Sequence, residues 1–199
     1  AKRDLYYKRE QKLKNWRNQV SHKETIFFAH ATGFQGSMYR QFFKNFERSF
    51  DVLFFENFGR NPNYPIVDNW SNQAMEAANF LKGKETPVIG VGHSMGGILN
   101  LLAASQNPGL FKLLVLLDSP VMMGALGVFL KLSKLIGLVE SMSPAKKSRN
   151  RKDRWKDRQE AAAYFQNNSF FRKFSPECLE DYLEFGLKEA AGSVTLSIP

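Results

Sequence analysis

A chain of 199 residues, 43% apolar and carrying 18 phenylalanines, can bury one substantial core, and one core domain is expected. Its formal net charge of +9 is concentrated between Lys146 and Arg158, without zinc spacing, a recognition-helix pattern or aromatic alternation, which argues against nucleic acid as a partner. The single cysteine, Cys178, excludes an internal disulfide, reads as a small buried helix residue and suits a reducing compartment.

Residues 1–19 are charged throughout and lack the apolar stretch of a secretory signal. Leu5-Tyr6-Tyr7 followed by Leu13 and Trp16 suggests an antiparallel edge hairpin there. Four runs then have strand length and β-rich composition: Thr25–Ala29, Asp51–Phe55, Pro87–Val91 and Phe111–Leu117. Their nearly unbroken hydrophobicity implies burial on both faces, as in a parallel sheet covered by helices. Helical patterns fill the intervals. Ser37 is placed to cap a helix presenting Met38, Phe42, Phe43 and Phe46, and Asp68 to cap one presenting Trp70, Ala74, Ala77 and Leu81, closed by Gly83. A third helix runs from Gly97 to Gln106 and stops at Asn107-Pro108-Gly109. Alternating strands and helices predict an α/β fold with a mainly parallel sheet flanked by helices.

Beyond Pro120 the pattern becomes helical. Val121–Glu140 is apolar and interrupted by Gly124, Gly127 and Gly137; a later helix carries Trp155, Ala162 and Phe165. Ser175-Pro176 is a cap and first-turn pair for a helix with Leu179, Tyr182, Leu183 and Leu187. No strand is expected among these helices. Asp118 and Pro120 interrupt the longest apolar stretch, Leu113–Leu130, so it reads as a buried strand entering a helix, not a membrane span. A cytoplasmic location is expected.

The chemistry centres on Gly92-His93-Ser94-Met95-Gly96, set between the third strand and the third helix. A Gly-x-Ser-x-Gly at a strand-to-helix turn presents a serine hydroxyl as a nucleophile on a bend that only small neighbours permit. Ser94 is therefore the candidate catalytic nucleophile. Upstream, His30-Ala31-Thr32-Gly33-Phe34 closes the first core strand. Acyl transfer builds negative charge on the carbonyl oxygen, which paired backbone N–H groups stabilise. The amide of Met95 is one candidate donor; Phe34 is assigned the other, with Ala31 or Thr32 as alternatives. Gly90-Val91-Gly92-His93-Ser94-Met95 begins like a dinucleotide loop, but Met95 stands where the third glycine belongs, and no Walker-type sequence appears. No cofactor and no metal are implied.

With these motifs in place, the chain resembles the α/β-hydrolase superfamily of serine hydrolases across roughly Thr25 to Pro120. The early loop resembles the family's His-Gly-Phe form, with two residues between its histidine and glycine. Many members carry Asp-x-Arg-Gly-x-Gly after the second core strand, where this chain has Glu56-Asn57-Phe58-Gly59-Arg60-Asn61-Pro62. The resemblance implies a hydrolase core over 1–120, a helical cap over 121–191 and the start of a return to the core over 192–199. It also implies an ester, thioester or related small-molecule acyl substrate.

A serine hydroxyl needs a base to remove its proton. By the resemblance, that base is a histidine following the last strand, in the order serine, acid, histidine. No histidine follows Ser94, and a complete member of this build would need about 60 to 90 further residues. The expectation is thus a chain ending before its catalytic histidine; the alternative is a non-catalytic α/β-hydrolase-like binding protein. Asp118 closes the fourth strand at the edge where ligands bind, which makes it a candidate acid.

Overall fold

A computed structural model describes residues 23–84, 87–121 and 152–198. The expected N-terminal hairpin, the Val121–Glu140 segment after Val121 and most of the basic run lie outside the described residues. Strands β1 (Glu24–Ala29), β2 (Phe50–Phe54), β3 (Val88–His93) and β4 (Phe111–Leu117) form one parallel sheet in the order β2-β1-β3-β4. The register pairs Phe28 with Phe54, Ala29 with Gly92 and His93 with Leu117, so the strands' carboxyl ends share one edge. The residues following β1 and β3 therefore meet above that edge, where ligands of such sheets bind.

Side chains alternate across a strand, and this divides the core into two layers. Phe27 points to α2 (Ser71–Leu81) and α3 (Met95–Gln106), packing among Ala74, Ala77, Leu81 and Ala103. Phe28 points the opposite way, with Ile26, Val91 and Phe43 of the short α1 (Arg40–Phe43). Both phenylalanines are fully buried, and each contributes about 1.5 to 3 kcal/mol by leaving water. Burial on both faces holds for β1 and β3. In β2 and β4 it is incomplete, and Leu113 of β4 remains more than half exposed.

Two helix starts differ from the sequence reading. The segment around Ser37 opens as a 3-10 turn, Gly36–Tyr39, with Gln35 at the cap position, and Ser37 instead gives its backbone N–H and hydroxyl to the Glu56 carboxylate. The next helix begins at Ser71, not beside Asp68; Trp70 holds the cap position at φ 54°. Gly83 closes α2 at φ 90°, a conformation glycine adopts without strain.

The segment after residue 151 contains strands as well as helices. β5 (Arg154–Trp155), β6 (Leu187–Ala190) and β7 (Ser193–Leu196) make an antiparallel sheet in the order β5-β7-β6, beside α4 (Arg158–Asn167) and α5 (Pro176–Gly186). Trp155 thus lies on a strand and Leu187 begins one. Within 192–199, the expected start of a return to the core, β7 pairs with β5 and β6. Periodicity misses these strands because they are two to four residues long. Asp157 and Ser175 cap α4 and α5 through their side chains, the latter with Pro176 in the first turn as predicted. Among the described residues of the basic run, Lys152 pairs with Glu160 and Arg158 with Glu189, which neutralises part of that surface locally.

One buried carboxylate joins this layer to the core. Asp181 of α5, inaccessible to solvent, accepts from Arg40 Nε at 2.9 Å and from the Gln41 backbone N–H at 3.1 Å, both on α1. Its removal leaves those donors without their acceptor. Asp181→Ala should therefore lower stability by about 2 kcal/mol, as for hydrogen bonds to a charged group, read as a shift of the urea midpoint.

Candidate active site

Ser94 lies between β3 and α3 with φ 51° and ψ −115°, a backbone state costing on the order of 1 to 3 kcal/mol for a non-glycine residue. Its neighbours explain how the bend is held. The Ser94 N–H donates to the Leu117 carbonyl at 2.8 Å, tying the corner to the end of β4, and the Ser94 carbonyl accepts from Gly97 N–H at 3.1 Å. A methyl group on Gly92 would lie 2.4 Å from the Gly97 nitrogen, and one on Gly96 2.0 Å from the Ala29 carbonyl oxygen. Both glycines are thus required by backbone approaching backbone. The second contact also presses the start of α3 against the end of β1, directly before the His30 loop.

Met95 is the first residue of α3, so its N–H is one of those a helix start leaves without an internal acceptor. Across from it, Ala31 to Phe34 form a tight turn with Gly33 at φ 80°. The Phe34 N–H, the expected second oxyanion donor, is engaged there with the Ala31 carbonyl at 3.2 Å, while the Ala31 N–H donates to the Tyr39 hydroxyl at 3.3 Å. Thr32 Oγ1 reaches Met95 Sδ at 3.3 Å, so the loop and the elbow do come together.

The histidines brace the site. His30 is buried, and its Nδ1 lies 2.9 Å from the Ala31 carbonyl, which can only accept, so the ring proton sits on Nδ1. Nε2 then accepts from the Phe58 N–H at 3.2 Å, clamping the loop after β2 onto the loop after β1. Burial depresses the imidazole pKa below its usual 6.5, in keeping with a neutral ring. His93, half-buried, places Nδ1 2.7 Å from the Tyr39 hydroxyl. Desolvation lowers its pKa too, while the nearby Asp118 carboxylate acts in the opposite direction. Asp118 is exposed, follows β4 directly and has φ 48°. Of the non-glycine residues with positive φ, Ser94 and Asp118 directly follow strands at this edge and Trp70 lines the pocket.

A cavity of about 400 Å³ opens beside the elbow. Its lining includes Thr32, Phe34 and Met95 from the two motifs, together with the apolar side chains of Phe58, Ile66 and Trp70. Ser94 is half-buried and is not part of the lining, which its neighbour Met95 joins. The resemblance makes Glu56–Pro62, and Phe58 within it, a divergent wall of the pocket, but the sequence gives Ile66 and Trp70 no pocket role. Their spacing resembles ordinary core packing, and only the tertiary arrangement aims them at one space. Among the described residues, no group of three or more His, Cys, Asp or Glu side chains could hold a metal ion, and no helix is long and apolar enough to cross a membrane.

A parallel sheet whose third strand ends in a strained serine corner, faced by a glycine turn, defines a hydrolase-type architecture. A model of the alpha/beta hydrolase family matches residues 26–193, and the chain belongs to that family. No curated protein matches in sequence. Solved structures with the same fold include the peroxisomal alpha-beta-hydrolase Lpx1 from Saccharomyces cerevisiae, 18% identical at TM-score 0.63 over 91% of this chain and 55% of that one. The thioesterase domain from the curacin biosynthetic pathway is 18% identical at TM-score 0.58, over 89% and 64%. An M. tuberculosis esterase is 16% identical at TM-score 0.61, over 90% and 59%. The chain thus spans between 55% and 64% of the length of these structures.

Gly96→Ala would drive a methyl group into the backbone of β1, so a loss of more than about 3 kcal/mol in denaturant titration is expected. The depressed pKa of His30 sets the sign of a pH effect. The unfolded chain takes up this proton near pH 6.5, before the folded one does, so stability is complete above that value and falls as pH drops through it. Urea midpoints should decline from pH 7 to pH 5, and less steeply in His30→Gln.

Proposed function

We propose that this chain carries the nucleophile and oxyanion site of a serine hydrolase that cleaves an ester, thioester or related acyl compound. The observation that carries this reading is Ser94, held at positive φ immediately before Met95, which begins α3 and lines a largely apolar cavity. The Ser94 hydroxyl attacks the acyl carbonyl as a base takes its proton, the oxyanion forms, and the alcohol or thiol leaves to give an acyl-enzyme that water then cleaves. The Met95 N–H faces the oxyanion. Phe34 supplies the second N–H by exchanging its turn bond to the Ala31 carbonyl for the stronger bond to a charged oxygen. Each donor contributes on the order of a hundredfold to a thousandfold in rate.

Asp118, beside His93 at the carboxyl end of β4, is the proposed acid. The base is not drawn from the described histidines: both nitrogens of His30 are engaged, and Nδ1 of His93 is bound to Tyr39. With no histidine after Ser94, the proposal has the intact protein provide one from outside these 199 residues. The chain by itself should then show at most the thousandfold to ten-thousandfold residual rate over water typical of an incomplete triad. The same sheet and pocket without that base would instead suit a binding protein that uses the same cavity.

A fluorophosphonate probe separates the two. On the intact, folded protein it should form a covalent adduct on the peptide containing Ser94, absent in Ser94→Ala, and p-nitrophenyl ester turnover should vanish in the same variant. Unlabelled Ser94, or turnover that persists in Ser94→Ala, contradicts the hydrolase reading.

A further inference from the structure

The proposed reaction leaves Tyr39 without a role, yet this side chain touches both halves of the site. Its hydroxyl accepts from the Ala31 N–H at 3.3 Å, at the start of the oxyanion loop, and lies 2.7 Å from His93 Nδ1, one residue before the nucleophile. An amide N–H cannot accept, so the phenolic proton is free to serve His93. A Tyr39 O–H donating to Nδ1 gives both the Ala31 N–H and the phenolic proton an acceptor, and places the neutral imidazole proton on Nε2. Burial favours the neutral form of both groups, raising the phenol pKa and lowering that of the imidazole.

The ring is as constrained as the hydroxyl. Its centroid lies 4.6 Å from Phe28 in β1 and 5.9 Å from Phe34 in the oxyanion loop. Tyr39 ends the 3-10 turn whose first residues are fixed from the other side: Gly36 N–H donates to the Glu56 carbonyl at 3.1 Å, and Ser37 donates to its carboxylate. Among the described residues, the other side-chain hydrogen bond between loop and elbow, Thr32 Oγ1 to Met95 Sδ, is exposed and uses sulfur, a weak acceptor. A two-donor oxyanion site works only if both N–H groups keep their spacing, because a displacement of about 1 Å can cost a hundredfold in rate.

We infer that Tyr39 is a positioning residue: its hydroxyl, bridging Ala31 N–H and His93 Nδ1, sets the spacing between the oxyanion loop and the serine elbow. This rests on the serine-hydrolase reading of Ser94 and extends it. Tyr39 does not line the cavity, so its loss acts on oxyanion stabilisation and not on ground-state binding.

Tyr39→Phe in the intact protein removes the hydroxyl and keeps the ring. Ester turnover is expected to fall about tenfold to a hundredfold in kcat, with KM within about twofold, as for an interaction made only in the transition state. An apolar trifluoromethyl ketone, whose adduct on Ser94 places an oxyanion between the two donors, should bind weaker by the same factor. An unreactive apolar competitor should bind as before. Removing the bond from its other end, in His93→Phe, should give the same loss, and the double variant should be no worse than either single one. This second route also covers a Tyr39→Phe protein that does not fold. Unchanged kcat, a rise in KM alone, unaltered ketone affinity or additive losses in the double variant would each overturn the role of Tyr39, provided Ser94→Ala is inactive. Turnover surviving in Ser94→Ala would instead remove the hydrolase reading itself.

Discussion

The site depends on one close approach: the start of α3 lies against the carboxyl end of β1 with no room for a side chain between them. Gly96 sits where a methyl group would overlap the Ala29 carbonyl, and Gly92 where one would overlap the backbone of the next turn. That contact holds the corner at Ser94 in a conformation the residue would not adopt alone. It also brings the first N–H of a helix within reach of the loop that leaves β1. Strain at one residue is thus maintained by packing spread over three strands and a helix, as expected where surrounding structure over-determines a costly backbone state.

Polar contacts then fix the loops around that corner. His30 uses both ring nitrogens to hold the loops after β1 and β2 together, and Gln35 extends the connection, donating to Asn57 Oδ1 at 3.0 Å and accepting from Ser197 Oγ at 3.0 Å. Asp181 attaches α5 to α1 through a carboxylate with no exposure to solvent. Loops ordinarily carry the mobile parts of a fold. Here the pocket's walls come from three such loops, each anchored by at least one buried or half-buried polar side chain, which favours a preformed cavity over one assembled on binding.

Much of this was legible in the sequence, for identifiable reasons. The four core strands announce themselves because parallel strands between helices must be apolar on both sides, and their boundaries fall within a residue or two of the expected ones. The elbow was legible because glycine at both flanks of a serine, after a strand and before a helix, has few other physical causes. What escaped is what local pattern does not encode. The strands of the small sheet are too short for alternation to show, and Trp155 between basic residues reads as helix until its partner Val194 is known. Ser37 and Asp68 have good capping chemistry, but Glu56 claims the first and the backbone turns at Trp70 before the second can act. The Phe34 amide could be assigned to the oxyanion from its position, whereas its bond to Ala31 is a property of the folded turn. The Tyr39 bridge joins positions 54 residues apart and leaves no trace in spacing.

The most direct measurement is crystallography of the intact protein after reaction with an alkyl phosphonate ester. The account predicts phosphorus bonded to Ser94 Oγ, residue 94 still at positive φ, and the phosphoryl oxygen within hydrogen-bond distance of the backbone N–H groups of Met95 and Phe34. A phosphonate attached to another side chain, or an adduct on Ser94 whose oxygen faces solvent away from both amides, would contradict it.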